Sequence, residues 1–247
     1  MKKLFYSAAM LAALSFTFVS CKDEDDPKPQ EPVYQSITVA AAVTELPSGL
    51  PTIARVRAQA PVQTIASTLW SSGFSLKLED AATSTFLKAF DQIFVSTFPW
   101  LTAAQAPTPS LSTARFQGVE IEAFASTEGE TGWIGDFFFE GENETNDSYT
   151  LLEEVYFFAN EDVTITGTSS GIDLDEDPFD MTWNVTLKKG WNKFYSSMTF
   201  VDEVEKYTMS FTSTKPAGDW GWKLEDYVSK NSSEKMTMKQ RANLRKK

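Results

Sequence analysis

Histidine is absent from this chain of 247 residues, and cysteine occurs only once. Without histidine there is no imidazole base that titrates near neutral pH, no Ser-His-Asp or Cys-His catalytic site and no histidine-ligated metal. A single cysteine excludes an intramolecular disulfide and the cysteine-based zinc sites. Basic residues are also few, with 22 Lys and Arg against 34 Asp and Glu. The net charge of −12 argues against nucleic acid as a partner, because its phosphates would be repelled.

Apolar residues are abundant, by contrast, and include 19 Phe in a chain that is 42% hydrophobic. That is enough for a sizeable core, so the chain as a whole is not disordered. No phosphate-binding glycine loop, nucleophile elbow or Ser-x-x-Lys motif stands in a convincing context. Because the chain has 34 carboxylates, a pair suited to glycoside hydrolysis arises by chance, and no motif selects one. We therefore expect a protein that is not an enzyme.

The N-terminus has the pattern of a secretory signal. Two lysines precede the apolar run 4–19, which is shorter than the roughly 20 residues that a membrane-spanning helix needs. The run leads through Ser20 directly into Cys21, the single cysteine. This pattern resembles the signal of bacterial lipoproteins, in which the cysteine becomes the first mature residue and carries fatty acyl chains. The resemblance implies a signal peptide over 1–20 and a lipid anchor on Cys21.

An acidic and proline-rich segment, 21–32, follows the signal. Its composition cannot bury a core, so we expect an extended tether between the membrane and the folded part. The run Cys-Lys-Asp-Glu-Asp-Asp that begins at Cys21 also resembles the export signal of surface lipoproteins in Bacteroidetes. That resemblance implies display on the outer leaflet of the outer membrane. For the lipoprotein signal itself, the alternatives are an ordinary signal peptide with a chance cysteine, or an uncleaved anchor helix.

Alternation of apolar and polar residues predicts a β-rich domain over 33–224. In 37–43, 73–78, 119–125 and 181–187, every second residue is apolar or small. Short strands joined by polar turns are typical of an antiparallel β-sandwich or a partly closed barrel. We predict an all-β fold of that kind.

One segment changes to helical spacing. Apolar residues recur there at intervals of three and four, namely Phe86, Leu87, Phe90, Ile93 and Phe94. Asp80 is a candidate N-cap, and Pro99 ends the pattern. We expect one amphipathic helix that packs on the sheet or covers its edge.

Two hairpins are predicted in the second half of the chain. The strands 133–139 and 151–158 are expected to pair across an acidic loop. The run Lys188-Lys189-Gly190 is expected to form a tight hairpin turn that leads into Trp191. Beyond Leu224, the segment 225–247 is rich in Lys and Arg and predicts a mobile basic tail.

Two runs in this half resemble the small lipoproteins of gut Bacteroidetes, a group of mostly unassigned function. They are Trp133-Ile134-Gly135-Asp136-Phe137 and Lys188-Lys189-Gly190-Trp191-Asn192. The resemblance implies a location in the cell envelope and a β-rich fold, and it implies no activity.

An acidic loop is the strongest local candidate for a site. It contains Asp173, Asp175, Asp177 and Asp180, and carboxylates at alternate positions can converge on Ca²⁺. The EF-hand pattern fails, because Pro178 stands where its turn glycine belongs. A solvated acidic loop is therefore the alternative to a Ca²⁺ site, and no other cofactor is expected.

Seven Trp and seven Tyr suggest recognition of a glycan, because sugars stack their apolar faces on exposed aromatic rings. The candidate binding residues lie near strand ends or loops and are Trp70, Trp100, Trp220 and Trp222. The alternative for each of them is burial in the core.

The sequence thus indicates a lipid-anchored protein of the outer membrane, displayed at the cell surface, with the membrane as a partner through Cys21. We expect a binding or adhesion module for a glycan or host polymer. A structural or accessory envelope lipoprotein without a ligand is the first alternative, and a carboxylate-dependent hydrolase is the second. Exposed Trp rings in a groove would favour binding, and two facing carboxylates in a deep cleft would favour hydrolysis.

Overall fold

The computed structural model describes residues 34–42, 46, 48–61, 63–79, 86–127, 132–145, 148–201 and 204–226. The predicted signal peptide, the tether and Cys21 lie outside these described residues, as does the basic tail beyond Asp226. Within the described ranges, no helix has the length and apolar character needed to cross a membrane.

The described residues form one α-helix and thirteen β-strands. The strands are β1 (Ile37–Ala42), β2 (Arg55–Ala60), β3 (Gln63–Leu69), β4 (Gly73–Leu78), β5 (Thr108–Pro109), β6 (Phe116–Phe124), β7 (Trp133–Glu144), β8 (Ser148–Ala159), β9 (Val163–Ile172), β10 (Pro178–Leu187), β11 (Gly190–Val201), β12 (Val204–Thr212) and β13 (Asp219–Asp226). The helix α1 spans Phe90–Thr97, and a short 3₁₀ turn spans Ala103–Gln105. The predicted all-β class with one helix is confirmed.

Eleven of the strands form one large sheet. Its order is β3-β2-β6-β7-β8-β11-β12-β10-β9-β5, and β13 pairs with β7 outside this path. The path is open, because β3 and β5 stand at its two ends in the described part of the chain. β1 and β4 form a separate two-stranded antiparallel sheet. The arrangement is therefore sandwich-like.

The two faces of the large sheet are covered by different elements. Val39 and Leu76 of the small sheet belong to one buried cluster, together with Phe158 of β8. Phe90 of α1 belongs to a second cluster, together with Phe157 of β8. Because neighbouring residues of a strand point to opposite faces, the small sheet and the helix lie on opposite sides of the large sheet.

The helix is shorter than the sequence pattern predicts. It begins at Phe90, because Lys88 instead forms a strand-like bridge with Phe116. The N–H of Lys88 donates to the carbonyl of Phe116 at 3.0 Å, and the N–H of Phe116 returns a bond of 2.9 Å. Phe86 and Leu87 therefore precede the helix, and Asp80 lies outside the described residues. The predicted end is confirmed, since α1 stops at Thr97.

One predicted hairpin is present and the other is wrong. β7 and β8 are antiparallel neighbours, but the residues that pair are 140–144 and 149–153, so much of the predicted acidic loop is itself strand. β10 and β11 are not paired through the turn at Lys188-Lys189-Gly190, because β12 lies between them and runs parallel to β10. A sheet predicted to be antiparallel thus contains a parallel pair.

The backbone of Gln35 packs against Gly190 and forms hydrogen bonds with the residues on either side of it. The N–H of Gln35 donates to the carbonyl of Lys189 at 2.8 Å, and Trp191 donates to the carbonyl of Gln35 at 2.8 Å. Gly190 has a φ of +111°, and a Cβ there would overlap the Gln35 backbone. Glycine is required at this position for both reasons.

Candidate functional site

A cavity of about 850 Å³ lies between α1 and the sheet face on which the helix packs. Small-molecule sites measure about 300 to 1,000 Å³, whereas packed protein interiors contain few voids larger than a water molecule. Aromatic side chains are frequent in the wall. Trp100 and Phe138 are partly exposed there, whereas Phe90, Phe94, Phe116, Trp183 and Phe211 line it while almost completely buried. The size and lining make this cavity the candidate ligand site.

The charged side chains that line the cavity are mostly acidic. Three belong to the sheet, namely Glu120 and Glu122 of β6 and Glu153 of β8, and two belong to the loop between β9 and β10, namely Asp173 and Asp175. Lys88 is the single basic residue among the described lining residues. Aromatic walls combined with excess negative charge favour a ligand that is apolar in one part and positive in another.

Strand register brings several carboxylates to the same face of the sheet. Glu122 lies opposite Asp136 of β7, and Glu153 lies opposite Glu140 of β7. Directly opposite side chains of antiparallel strands have Cβ atoms about 5 Å apart, and like charges in that relationship are destabilising. Asp136 and Glu140 are almost completely buried. Two pairs of carboxylates therefore lie on one face of the sheet beside the cavity.

Glu122 forms an ion pair with Arg57 of β2. Nη2 of Arg57 lies 3.7 Å from Oε2 of Glu122, and both side chains are mostly buried. The Arg57 guanidinium also stacks 3.8 Å from the centroid of the Phe124 ring. Asp136 accepts a hydrogen bond of 3.4 Å from Nε1 of Trp133. The guanidinium of Arg57 is thus an organic cation held between the carboxylate of Glu122 and the ring of Phe124.

Asp173 organises the loop at another part of the cavity. Its Oδ1 accepts the backbone N–H groups of Asp175 at 2.9 Å and Asp177 at 3.0 Å, and its Oδ2 accepts the hydroxyl of Tyr207 at 3.0 Å. Burial, together with the hydrogen bond to Asp173, raises the pKa of Tyr207 well above its ordinary value. Leu174, which lies between Asp173 and Asp175 in the chain, is 74% exposed.

The four aspartates of the predicted Ca²⁺ site have different surroundings. The carboxylate of Asp173 accepts the three hydrogen bonds just described, whereas Asp180 forms an ion pair of 2.5 Å with Lys206. Across the ranges that the structure describes, no three carboxylates are grouped in a way that could hold a metal ion. Ca²⁺ binding by this loop stays a prediction.

Trp100, one of the four predicted binding residues, lies in the cavity wall. Its indole N–H is buried without an acceptor among the described residues, and the same holds for Trp183. The side chain of Trp183 is 6% exposed and stacks on Phe211 with 3.7 Å between ring centroids. These two indoles can report on occupation of the cavity through their fluorescence.

The other three predicted Trp residues lie together on the opposite face of the sheet. They belong to a continuous row of ring contacts, here called the aromatic ladder, that consists of Trp70, Phe137, Phe74, Trp222, Phe139, Trp220 and Tyr195. Successive ring centroids are 5.0 to 5.6 Å apart. Trp70, Trp220 and Trp222 are half-buried.

The polar atoms of the aromatic ladder are used within the chain. Nε1 of Trp220 donates to the carbonyl of Pro216 at 3.0 Å, and Nε1 of Trp222 donates to that of Ala40 at 3.2 Å. Nζ of Lys215 lies 4.7 Å from the Phe139 ring centroid and 4.8 Å from that of Trp220. A sugar could stack on these two rings only by displacing Lys215.

A buried carboxylate lies next to one end of the aromatic ladder. Glu154 accepts the hydroxyl of Tyr156 at 2.9 Å, and its Oε2 lies 3.3 Å from Nζ of Lys193. Burial, with the Glu154 charge and hydrogen bond, raises the pKa of Tyr195 to about 12. This network fixes the side chains of Tyr156 and Lys193 beside the ladder.

Nothing among the family models, the curated proteins or the solved structures compared with this chain matches it. The site is therefore defined by its own geometry. The cavity residues Glu120, Glu122 and Glu153 were not among the residues predicted from the sequence. Their signal was present, since acidic residues alternate with apolar ones in β6, but alternation does not distinguish a cavity wall from a solvent face.

Proposed function

We propose that this protein is a ligand-binding protein of the bacterial cell envelope that holds a small molecule in the cavity beneath α1. The observation that carries the proposal is the cavity itself, about 850 Å³ with many aromatic residues in its wall. Ligand pockets are typically concave and largely apolar with a few polar groups, and this cavity has that composition.

The location belongs to the same proposal. The N-terminal pattern supports a lipid anchor on Cys21, and the acidic segment after it supports display on the outer leaflet of the outer membrane. Replacing Cys21 by Ala should release the protein from the membrane fraction and change its size on a gel. A variant that stays membrane-bound with unchanged size would exclude the anchor.

Surface display has a separate test. Protease added to whole cells should degrade the protein. A variant with neutral residues in place of 23–26 should stay inside the cell and be protected from the protease. The matched control carries neutral residues in place of Glu144 and Asp219, which are exposed and lie outside the cavity lining. Equal protection of both variants would show that the acidic segment does not direct export.

Binding in the cavity is tested with a neutral, apolar fluorescent probe, N-phenyl-1-naphthylamine. Its emission should rise when it enters the cavity of the purified protein. Val155 lines the cavity, so Val155→Phe should fill part of the space and weaken probe binding. Val201 is 39% exposed and lies outside the lining, so Val201→Phe is the matched control. If neither variant changes probe binding, the cavity is not a ligand site and the structural alternative is favoured.

The aromatic ladder supports glycan recognition as a second candidate function. The supporting observation is that three of the four predicted Trp residues lie half-exposed in one row of ring contacts. The internal hydrogen bonds of Trp220 and Trp222 and the position of Lys215 favour the cavity as the main site.

The carboxylates of the cavity also bear on the hydrolase alternative. Glycosidases use two carboxyl groups about 5 to 10 Å apart across the scissile bond. Glu120 and Glu153 both line the cavity, so activity on nitrophenyl glycosides is a direct check. We expect no turnover, and turnover abolished by Glu153→Gln would replace the binding proposal by a catalytic one.

A further inference from the structure

We infer that the cavity accepts an organic cation with an apolar body, in preference to a neutral or anionic molecule of the same size. This inference rests on the proposed binding function and adds the charge of the ligand to it. The site comprises the aromatic wall beneath α1 and the carboxylates of Glu120, Glu122 and Glu153.

The charge of the lining is the first reason. Five carboxylates line the cavity against one lysine, and Arg57 outside the lining pairs with one of them, so the lining keeps an excess of negative charge that attracts cations and repels fatty acids or phosphates. Glu153 is half-buried and Glu122 is mostly buried, and partly buried charges are less screened by salt than surface charges.

The second reason is the register of the strands. Glu153 is held opposite the fully buried Glu140, and Glu122 is held opposite the buried Asp136. These positions direct four carboxylates to one face of the sheet, so a positive group at the cavity end of this face is attracted by more than one of them. An anion at the same place would be repelled.

The third reason is a precedent within the same sheet. The guanidinium of Arg57 lies 3.7 Å from Glu122 and 3.8 Å from the centroid of the Phe124 ring. A ligand ammonium group between Glu153 and the nearby cavity residue Phe138 would meet the same two kinds of partner. The apolar body of the ligand would then extend beneath α1 toward the partly exposed side chains of Ile93 and Trp100.

The inference is tested with three octyl compounds below their micelle concentrations: octyltrimethylammonium, octyl glucoside and octyl sulfate. Calorimetry and tryptophan fluorescence should show binding of the cation at least about tenfold more tightly than of the neutral compound, and no binding of the sulfate. A charge pair of about 1 to 1.4 kcal/mol corresponds to a factor of five to ten in affinity. Trp100→Phe should reduce the fluorescence change, which places the ligand in the cavity.

Two variants separate charge from shape. Glu153→Gln and Glu120→Gln should each weaken binding of the cation about fivefold and leave the neutral compound unaffected. Glu79→Gln is the matched control, because Glu79 is exposed beside Lys77 and lies outside the cavity lining. Raising the salt concentration should weaken binding of the cation alone.

The outcomes distinguish this inference from the function on which it rests. Equal affinity for all three compounds, with loss of binding in Val155→Phe, would overturn the preference for a cation and leave the cavity as a ligand site. Tighter binding of octyl sulfate would also overturn it. No binding of any compound, together with no effect of Val155→Phe on the naphthylamine probe, would overturn the binding function itself. Displacement of the cation by Ca²⁺ alone would indicate a metal site in its place.

Discussion

Glu153 of β8 and Ser196 of β11 lie directly opposite each other in the sheet, on the face that forms the cavity wall. On the other side of β8, Glu153 also faces Glu140 of β7. The polar part of the wall therefore crosses three neighbouring strands in one line. The aromatic part of the wall begins beside it at Phe194 and Phe157. The cavity is thus divided into a polar and an apolar part by the register of the strands.

The bond between Tyr207 and Asp173 stabilises the loop between β9 and β10. Tyr207→Phe removes a buried hydrogen bond of 3.0 Å to a carboxylate, and we expect a loss of about 1.5 to 3 kcal/mol in the free energy of unfolding. Urea unfolding measures this value. Tyr34→Phe is the control, because its hydroxyl makes no hydrogen bond within the described residues, and it should change the free energy by less than about 0.5 kcal/mol. Equal effects of the two variants would contradict the prediction.

Gly190 is expected to tolerate no side chain. Gly190→Ala introduces a Cβ that overlaps the backbone of Gln35 at a positive φ, and it should destabilise the protein by at least about 1 to 3 kcal/mol. Gly221→Ala is the matched control, since a Cβ at Gly221 meets nothing within 4 Å. Thermal unfolding of the two variants should differ clearly, and similar melting temperatures would show that the backbone of Gln35 moves aside easily.

Stability should fall at alkaline pH as Tyr195 ionises. Its pKa is raised from 10.0 to about 12 in the folded chain by burial and by Glu154, so the neutral form is favoured by folding. This contribution is fully present below pH 10 and is lost as the pH rises toward 12. Tyrosinate absorbance should show a late transition that Tyr195→Phe removes and Glu154→Gln moves toward pH 10. A transition that Glu154→Gln leaves in place would rule out the carboxylate as a cause.

Calcium should have no effect on the melting temperature. The carboxylate of Asp173 is used by two backbone N–H groups and by Tyr207, and Asp180 is paired with Lys206. Differential scanning calorimetry in calcium and in chelator measures the shift. A rise in calcium that is abolished by Asp177→Asn would instead establish the Ca²⁺ site predicted from the sequence.

Glycan recognition by the aromatic ladder is tested with a glycan array. If the ladder binds sugars, Lys215→Ala should increase the signal, because the lysine covers the Phe139 and Trp220 rings. Trp220→Ala should then abolish the signal, and Trp100→Ala in the cavity should not. We expect a blank array for the unaltered protein, and a signal lost with Trp220→Ala would make the ladder the main binding site.

The strands could be predicted where one face is buried and the other is exposed. In β4, Phe74, Leu76 and Leu78 are buried, whereas Ser75 and Lys77 are exposed, so period two is visible in the sequence. The turn at Lys188–Gly190 was misjudged for a different reason. Its local sequence suits a hairpin, but the neighbour of β10 is chosen by contacts with β12, which comes more than fifteen residues later.

The cavity could not be predicted, because it depends on how the sheet and α1 are separated. Glu120 and Glu122 alternate with Ile121 and Ala123, which fixes the face they occupy and not what covers it. Trp100 was predicted as a binding residue because it lies near a strand end or loop. Its position in the cavity wall depends on the path of the chain after α1. Spacing along one strand carries no information on distances between layers.

The position of β12 between β10 and β11 determines when the large sheet can be completed during synthesis. A chain that emerges from its N-terminus leaves β10 and β11 each with an unpaired edge until 204–212 has emerged. The last strand, β13, then pairs with β7, which lies some eighty residues earlier. Unpaired edges are templates for association with other chains, and distant pairings form slowly. A folding chain in which β12 is not yet in place therefore exposes two strand edges that can pair with other chains.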